Sequence, residues 1–280
     1  MENTVNPLKS YFRKPGIWIK LPSRGEFYPN KPKELNDMGE IPVYPMTAKD
    51  ELILKNADAL LNGTAVNQLI SSCVPSIDDP QSVPAIDLDP ILLAIRRCTY
   101  GEKMDITTVC DCDEKAENEV TLNLNHFISA ITTLDRIEPI EFDNGIKVYI
   151  RPVTVRQLLH LNWVQYTQIR NIQIAEQQQV DEKTRVDLLQ KSYNELTGEN
   201  INIVADCVDT VLLPDGATVT DRRNIKEWMS DLSRPDFKKV ETAIMSIGEK
   251  GLDKKFTVEC NKCKKTYESQ LDLNPTTFFE

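Results

Sequence analysis

Apolar and polar residues repeat one pattern at two places in the chain: an alternating apolar run, a proline turn and then helical spacing. The first copy is IPVYPMTAKDELILKNADALLNG, residues 41–63, and the second begins at Val148 with VYIRPVTVRQLLHLN. When the two copies are aligned without gaps, the proline and threonine of the second copy align with those of the first. Each copy therefore predicts a strand, a turn and a helix.

The residues around each threonine give that prediction a physical basis. Thr154 followed by Gln157 is a capping box, in which hydroxyl and side-chain amide satisfy backbone amides of the first helical turn. Thr47 with Asp50 is a shorter version that also places negative charge at the helix N-terminus. Prolines favour an extended residue before them, and Asn-Gly ends a helix. The structural residues of the two copies are Pro45, Thr47, Asp50, Asn62, Gly63, Pro152, Thr154 and Gln157.

A second repeated pattern is a pair of alternating apolar runs with two cysteines at the turn between them. It is written ITTVCDCDEKAENEVTLNLNHF from Ile106 and FTVECNKCKKTYESQLDLNPTTFF from Phe256. Both predict a zinc-ribbon-like β-hairpin. The duplication then covers roughly residues 41–128 and 146–280.

The remaining segments read mainly as helix. Helical spacing predicts helices at 64–73, from Asp89-Pro90 to Gly101, and at 237–247. An insertion at 155–197 reads as two antiparallel helices with a polar tip at 176–183, either a protein-docking arm or a bundle packed on its own module. The fold class is α+β, with internally duplicated, mainly helical modules. The expected domains are an N-terminal arm and strand 1–40, module one 41–128, a linker 129–145 and module two 146–280.

Charge and composition exclude several partner classes. The 280 residues include 43 acidic and 33 basic side chains, for a net charge of −10, which disfavours nucleic acid and anionic membranes. No run of eighteen apolar residues is present, and seven cysteines, an odd count, suit a reducing compartment. We expect a soluble cytosolic protein that binds neither membrane nor nucleic acid.

The cysteine pairs are the clearest candidate for a bound cofactor. Structural zinc takes four thiolates, and each hairpin supplies two, so one structural zinc shared by Cys110, Cys112, Cys260 and Cys263 is the economical arrangement. The gap between the first two is one residue, shorter than the usual two. A knuckle is the turn that carries one cysteine pair. The alternatives to a shared zinc are reduced cysteines in vestigial knuckles that bind no metal, or a metal held by one cysteine pair together with other ligands.

Catalytic patterns are absent from the sequence. The two histidines, His126 and His160, stand in no nucleophile or metal-hydrolase pattern, and the ten glycines form no phosphate-binding loop. The other cysteines, Cys73, Cys98 and Cys207, read as small buried hydrophobic residues. We therefore expect a protein that is not an enzyme.

Three stretches carry a family resemblance: IWIKLPSRGEFYP, EIPVYPMTAKDELILKNADALLNGTAV and SSCVPSIDDPQSVPAIDLDPILLAIRRCTYGEKMDITTVC. They resemble the baseplate hub assembly proteins of T-even type contractile-tailed bacteriophages, densely over residues 17–127 and loosely beyond. The first knuckle of that family is commonly C-x-x-C, from which Cys110-Asp111-Cys112 departs.

The resemblance implies a late viral protein that promotes formation of the central hub of the tail baseplate in the host bacterial cytoplasm. It would act as an assembly chaperone, through contacts with other hub and tail assembly proteins. The alternative is a permanent structural subunit of the virion baseplate. A zinc-ribbon nucleic-acid binder is a third hypothesis, and its only local basic candidates are Lys254, Lys255, Lys262, Lys264 and Lys265.

The N-terminal region divides into two parts. Residues 1–16 are polar and read as a flexible arm, whereas the stretch from Ile17 to Tyr28 carries more specific sequence than a tether needs. We expect this stretch to touch module one or a hub partner. The candidate partner-binding residues are Leu21, Pro22, Ser23, Arg24, Gly25 and Tyr28.

Overall fold

A computed structural model describes residues 6–112, 115–177 and 182–279 of the chain. Its helices are α1 Ala48–Leu54, α2 Ala57–Leu61, α3 Thr64–Cys73, α4 Ala85–Tyr100, α5 Leu124–Ser129, α6 Val155–Gln177, α7 Glu182–Asp206, α8 Arg222–Asp231, α9 Arg234–Gly248 and α10 Pro275–Phe278. Its strands are β1 Ile17–Lys20, β2 Glu40–Val43, β3 Lys103–Val109, β4 Glu117–Asn123, β5 Ile140–Glu141, β6 Lys147–Ile150, β7 Val208–Leu212, β8 Thr218–Val219, β9 Lys255–Glu259 and β10 Thr266–Gln270. Short 3-10 turns lie at Pro7–Tyr11 and Pro80–Ser82.

The strands form small antiparallel sheets rather than one large one. Strands β1 and β2 pair with each other, as do β3 with β4 and β9 with β10. A four-stranded sheet has the order β5-β6-β7-β8. Mixed helices and small sheets agree with the predicted α+β class, and the cysteines lie at the turns of two of the hairpins.

Both capping boxes are present at the starts of α1 and α6. The Thr47 amide donates to Asp50 Oδ2 at 2.7 Å, and the Asp50 amide returns to Thr47 Oγ1 at 3.3 Å. The corresponding distances for Thr154 and Gln157 are 2.8 and 3.4 Å. Since each prediction used only residues three apart, the local sequence was sufficient for it.

The helix after Thr47 is shorter than its apolar spacing suggested. It ends at Leu54, because the Asn56 side chain accepts from the Ala59 amide at 3.1 Å and starts a second helix, α2. The Asn62-Gly63 stop follows α2, where Gly63 has φ of 75°. A Cβ built on Gly63 would lie 2.5 Å from a methyl group of Leu159, so helix α6 packs directly on this glycine.

The prediction that Asp89-Pro90 begins a helix was wrong. Helix α4 begins at Ala85, and Pro90 lies buried inside it. The chain enters the helix earlier because the Ala85 amide is already bonded to Val153 O at 2.7 Å, next to the bridge between Pro84 and Thr154. Asp87 then becomes the acidic residue of the first turn.

Two hydrophobic cores hold the molecule together, and they group the chain differently from the predicted modules. The first contains residues of β1, β2, α3 and α4 together with Leu252, Leu271 and Phe278 near the C-terminus. The second contains Val148, residues of β7 and buried positions of α8 and α9. The C-terminal segment of the predicted module 146–280 therefore packs in the first core.

The predicted flexible arm is anchored where the structure describes it. Residues 1–5 of that arm lie outside the described residues. The Arg13 guanidinium donates to the carbonyl oxygens of Pro45 and Ser72 and lies 3.8 Å from the Asp50 carboxylate. These contacts tie the segment before β1 to the cap of α1.

The insertion forms the two antiparallel helices that the sequence predicted, α6 and α7. His160 Nε2 lies 3.0 Å from Glu199 Oε2, and the Gln168 amide donates to Glu195. Residues 178–181 of the predicted polar tip lie outside the described residues. In the part of the chain that the structure describes, no helix combines the length and apolar character needed to cross a membrane.

Candidate metal centre

Each cysteine pair lies at the turn of an antiparallel hairpin. In the first hairpin the Cys110 amide donates to Ala116 O at 2.9 Å, closing the end of β3 and β4. In the second the Cys260 amide donates to Lys265 O at 3.0 Å. The two turns thus begin in the same way, although the first has one residue between its cysteines and the second has two.

The tertiary fold brings the two turns together. The sulfur atoms of Cys110, Cys112, Cys260 and Cys263 all lie within 4.8 Å of one another, and Cys110 Sγ is 3.8 Å from Cys263 Sγ. Four sulfurs bound to zinc at about 2.3 Å in a tetrahedron are roughly 3.8 Å apart. All four cysteines are free thiols, so the cluster has the spacing of a metal site and not of disulfides.

Burial and hydrogen bonding give the sulfurs different protonation tendencies. The Cys263 backbone amide is the main cause of a pKa near 6 for Cys260, and the Lys262 amide adds to it. Burial raises the pKa of the Cys110 thiol to about 12. A divalent cation would displace the remaining protons, since coordinating thiols are deprotonated by the metal.

The residue that sequence reasoning missed is Asn118, which joins the two hairpins beside the sulfurs. Its side chain is buried, its Oδ1 accepts from the Asn261 amide at 2.8 Å and its Nδ2 lies 3.9 Å from Cys260 Sγ. Nδ2 also donates to the Tyr267 hydroxyl at 3.1 Å, which is 2.7 Å from Thr108 Oγ1. A polar residue at an inward position of the alternating strand β4 was the available signal.

The residues present fit a structural zinc site. Four sulfur donors are the ligand set that zinc takes in closed sites, and amide N–H groups directed at sulfur stabilise thiolates. Four thiolates and one Zn²⁺ carry a net charge of −2, which the exposed Lys262, Lys264 and Lys265 partly offset. The short first knuckle does not prevent Cys112 from reaching the cluster.

The candidate partner-binding residues lie mostly inside the chain's own fold. Leu21, Pro22, Ser23 and Gly25 are buried, and Tyr28 is half-buried. The four buried residues contact the chain's own body, and Tyr28 keeps part of its surface exposed. Within the set Arg24 is exposed, and its guanidinium donates to Thr133 Oγ1 at 3.0 Å.

A buried carboxylate explains why that turn is held so firmly. Asp87 accepts the Ser23 amide at 2.9 Å, the Ser23 hydroxyl, and the Tyr28 hydroxyl at 2.9 Å. Burial is the main cause of a pKa of about 6 for Asp87, and the three hydrogen bonds oppose this rise. Ser23 and Tyr28 are thus structural residues, which fasten the N-terminal turn to α4.

The remaining cysteines lie in the apolar cores, as predicted. Cys73 and Cys207 are fully buried, and burial raises the pKa of each thiol to about 12. Cys98 is half-buried against the first core.

Near the second knuckle, the ammonium of Lys254 bonds Asp89 at 2.9 Å, so one of the five basic candidates for nucleic-acid binding is neutralised locally.

Comparison with known proteins identifies a family for this chain. The family model described as T4 bacteriophage base plate protein matches residues 18–280, which include β1 except Ile17, both cores and both cysteine hairpins. No curated protein and no solved structure matches the chain. Because the matched region covers nearly the whole chain, the protein belongs to the T4 bacteriophage base plate protein family.

Proposed function

We propose that this protein promotes assembly of the central hub of the baseplate through protein contacts, without catalysing a reaction. Membership of a baseplate family supports a structural or assembly role and implies contact with other baseplate proteins. The match over residues 18–280 is the observation that carries the proposal. The assignment to the hub, within the baseplate, comes from the sequence resemblance at residues 17–127.

The side chains of the described residues support a non-enzymatic role. His160 is exposed and paired with Glu199, and Asp87, the carboxylate with a raised pKa, has its oxygens occupied by Ser23 and Tyr28. Catalytic acids and bases need access to a substrate as well as a perturbed pKa. Asp87 is buried and hydrogen-bonded to other residues of the chain, so its role is structural and not catalytic.

We further propose that the four-cysteine cluster holds one structural zinc ion. The ion would join the turn after β3 to the turn after β9, which lie far apart in sequence. It would supply cross-linking energy rather than chemistry, because four protein thiolates leave no open coordination position for a substrate. The metal-bound pair of hairpins would then hold the C-terminal segment on the first core.

Co-purification from infected cells tests the assembly role. A tagged chain, expressed at its natural level during infection, should recover hub proteins from assembly intermediates. Its absence from finished particles would support a chaperone that leaves after assembly. Stoichiometric amounts in purified virions would instead select the permanent structural subunit. Recovery of no baseplate protein at any stage would contradict both roles.

Arg24 provides a variant for the same experiment. Because this side chain is exposed beside a buried turn, Arg24→Glu should leave the fold intact and weaken recovery of hub proteins if the turn contacts a partner. Arg223→Glu is the matched control, since that guanidinium is 93% exposed on α8 and the charge change is identical. Equal recovery with both variants would assign Arg24 to the chain's own structure.

A further inference from the structure

The helical hairpin formed by α6 and α7 exposes an unusual amount of apolar surface. Tyr193 is 70% exposed, and Tyr166, Ile169, Val186 and Leu189 are also exposed. The seam between the two helices, by contrast, buries two polar side chains, Gln168 and Ser192. The hairpin therefore places larger apolar groups outside than a two-helix unit with its own complete core would.

Helical geometry places these apolar residues on one side of the hairpin. With 100° per residue, and the buried Gln168 and Ser192 defining the seam, Ile169 and Tyr193 each lie a quarter turn away from it. In an antiparallel pair, a quarter turn in the same sense points both side chains to the same side. Leu189 precedes Tyr193 by four residues in α7, and Val186 precedes Leu189 by three, so both lie on the same side as Tyr193.

The same side of the hairpin carries no charged residue from Asn162 to Gln173 in α6 or from Val186 to Thr197 in α7, and exposed Arg185 lies at its edge nearer the tip. Its other exposed positions are amides and a hydroxyl, whereas 27% of the whole chain is charged. The opposite side carries exposed charges and one large apolar side chain, Trp163, which is 47% exposed. Interface cores are depleted of charge and enriched in tyrosine, which is the composition found here. The uncharged positions are Asn162, Gln165, Gln173 and Thr197, and the charged ones opposite are Asp187, Lys191 and Glu195.

We propose that this uncharged face, defined by Tyr166, Ile169, Val186, Leu189 and Tyr193, pairs with the same face of a second copy of the chain. Two hairpins packed by a two-fold axis form a four-helix bundle, in which these residues become the core. The occupant is a second copy because three features of the molecule agree with self-pairing.

The first feature is charge. Each copy carries a net charge of −10, so any self-association must use a surface that brings few like charges together. The uncharged face meets that requirement. A partner with a charged docking surface would leave its charges unpaired on this face.

The second feature is position. Helix α6 has 23 residues and is about 35 Å long, and the apolar residues lie in its distal part and in the facing part of α7. Contact there keeps the two acidic bodies apart. Beyond a screening length of about 8 Å at physiological salt, their repulsion is largely lost.

The third feature is area. The five apolar side chains leave on the order of 500 Å² exposed, so two copies would bury about 1,000 Å² together. That total lies at the lower limit for a specific interface, in the range of weak, reversible dimers. Self-pairing thus accounts for the whole exposed face.

Sedimentation velocity of the full chain at micromolar concentrations tests the proposal. The wild-type chain should sediment as a dimer, and Tyr193→Glu should weaken dimerisation by at least about tenfold, because a carboxylate would be buried in the apolar contact. Asn194→Glu is the matched control: it adds the same charge to the next residue, which is exposed and points away from the face. Circular dichroism should give equal helix content for all three proteins.

Two results would overturn the pairing. One is a wild-type chain that remains monomeric throughout the concentration series, including the case in which Tyr193→Glu instead loses a hub protein from the infected-cell complex. That case would assign the face to another protein. The other is a dimer that Tyr193→Glu and Asn194→Glu affect equally, which would place the contact on a different surface.

Discussion

The body and the helical hairpin of this protein are held together in different ways. In the body, polar side chains join segments far apart in sequence: Asn118 binds Asn261, and Asp87 binds Ser23 and Tyr28. In the outer part of the hairpin the polar contacts run between the two neighbouring helices, as in the pair Gln168 and Glu195, whereas at its base Asn200 bonds Glu241 of α9. Long-range contacts make a unit cooperative, whereas local contacts allow it to open alone. The body should therefore unfold as one unit together with the base of the hairpin, and the outer part of the hairpin should open separately.

The largest effect should come from removing a sulfur of the metal centre. Cys263→Ser and Cys112→Ser should each abolish zinc binding and loosen both hairpins, because structural zinc contributes on the order of 10 kcal/mol in small zinc domains. Zinc content by elemental analysis and limited proteolysis would measure this, and the wild-type chain should hold about one zinc. Cys98→Ser, at a half-buried thiol in the first core, should keep its zinc.

Unequal results from the two variants would break this part of the comparison. If Cys112→Ser keeps the metal while Cys263→Ser loses it, the second knuckle binds with other ligands and the hairpins are not joined through the ion. Reduced wild-type protein without zinc would mean that the cluster consists of thiols only. In either case the cooperative unfolding of the body would depend on the contacts of Asn118 and on the hydrophobic core.

Asp87 offers the next largest effect, and it is pH-dependent. Its pKa is about 6 in the fold against an ordinary 3.8, so the folded state holds a proton that the unfolded chain releases between about pH 4 and 6. Stability from this group is therefore lost as the pH rises through that range. Asp87→Asn keeps a neutral acceptor. Its free energy of unfolding, relative to that of the wild type, should therefore increase by about 3 kcal/mol as the pH rises from 4 to 7.

Urea unfolding of both proteins at each pH would measure the gain. Comparing variant with wild type at the same pH cancels any contribution from the metal. Asp231→Asn, at an exposed carboxylate on α8, should change far less over the same range. An Asp87→Asn difference that stays constant with pH would refute the buried-charge account of the N-terminal turn.

Asn118 should have a smaller effect, on both metal affinity and stability. Asn118→Ala leaves the Asn261 amide without its acceptor, which should cost about 1–3 kcal/mol. Loss of a group next to a ligand typically weakens metal binding by about 10–100-fold, measurable by competition with a chelator. Glu119→Ala changes the next, exposed residue of β4 and should leave both quantities unchanged. Equal effects would show that Asn118 contributes only strand propensity.

The helix caps should have the smallest effects, and they separate the two regions. Thr47→Ala and Thr154→Ala should each cost about 0.5–2 kcal/mol by removing a side-chain acceptor from the first turn. The loss at Thr47 should lower the stability of the whole body, because Asp50 also accepts from Ser72. The loss at Thr154 should increase hydrogen exchange mainly in α6. Unchanged melting for both would refute the capping assignment.

Elements that depend on neighbouring residues could be predicted well. The capping boxes and the cysteine hairpins follow from spacings of a few residues, and the structure contains them. The start of α4 could not be predicted, because it depends on a bridge between Pro84 and Thr154. Helix α8 was missed, since it has two buried apolar residues, Ile225 and Met229, among polar ones.

The N-terminal turn marks the limit of sequence reasoning about surfaces. Its specific residues suggested contacts, yet the sequence did not reveal that Asp87 is the partner of Ser23, 64 positions away. The residue type alone does not tell whether a carboxylate is buried or exposed. Which of these residues are buried is a property of the packed chain.

By itself, the sequence determined the two strand–turn–helix segments, the acidic net charge and the four cysteines of the hairpins, because these depend on composition and on residues close in the chain. Only the tertiary structure decided that the C-terminal segment packs in the first core and that the two cysteine pairs form one cluster. These outcomes depend on contacts such as Asn118 with Asn261, 143 positions apart. Local spacing carries no information about which distant segments meet, since that choice is made by burial of apolar surface and by pairing of buried polar groups.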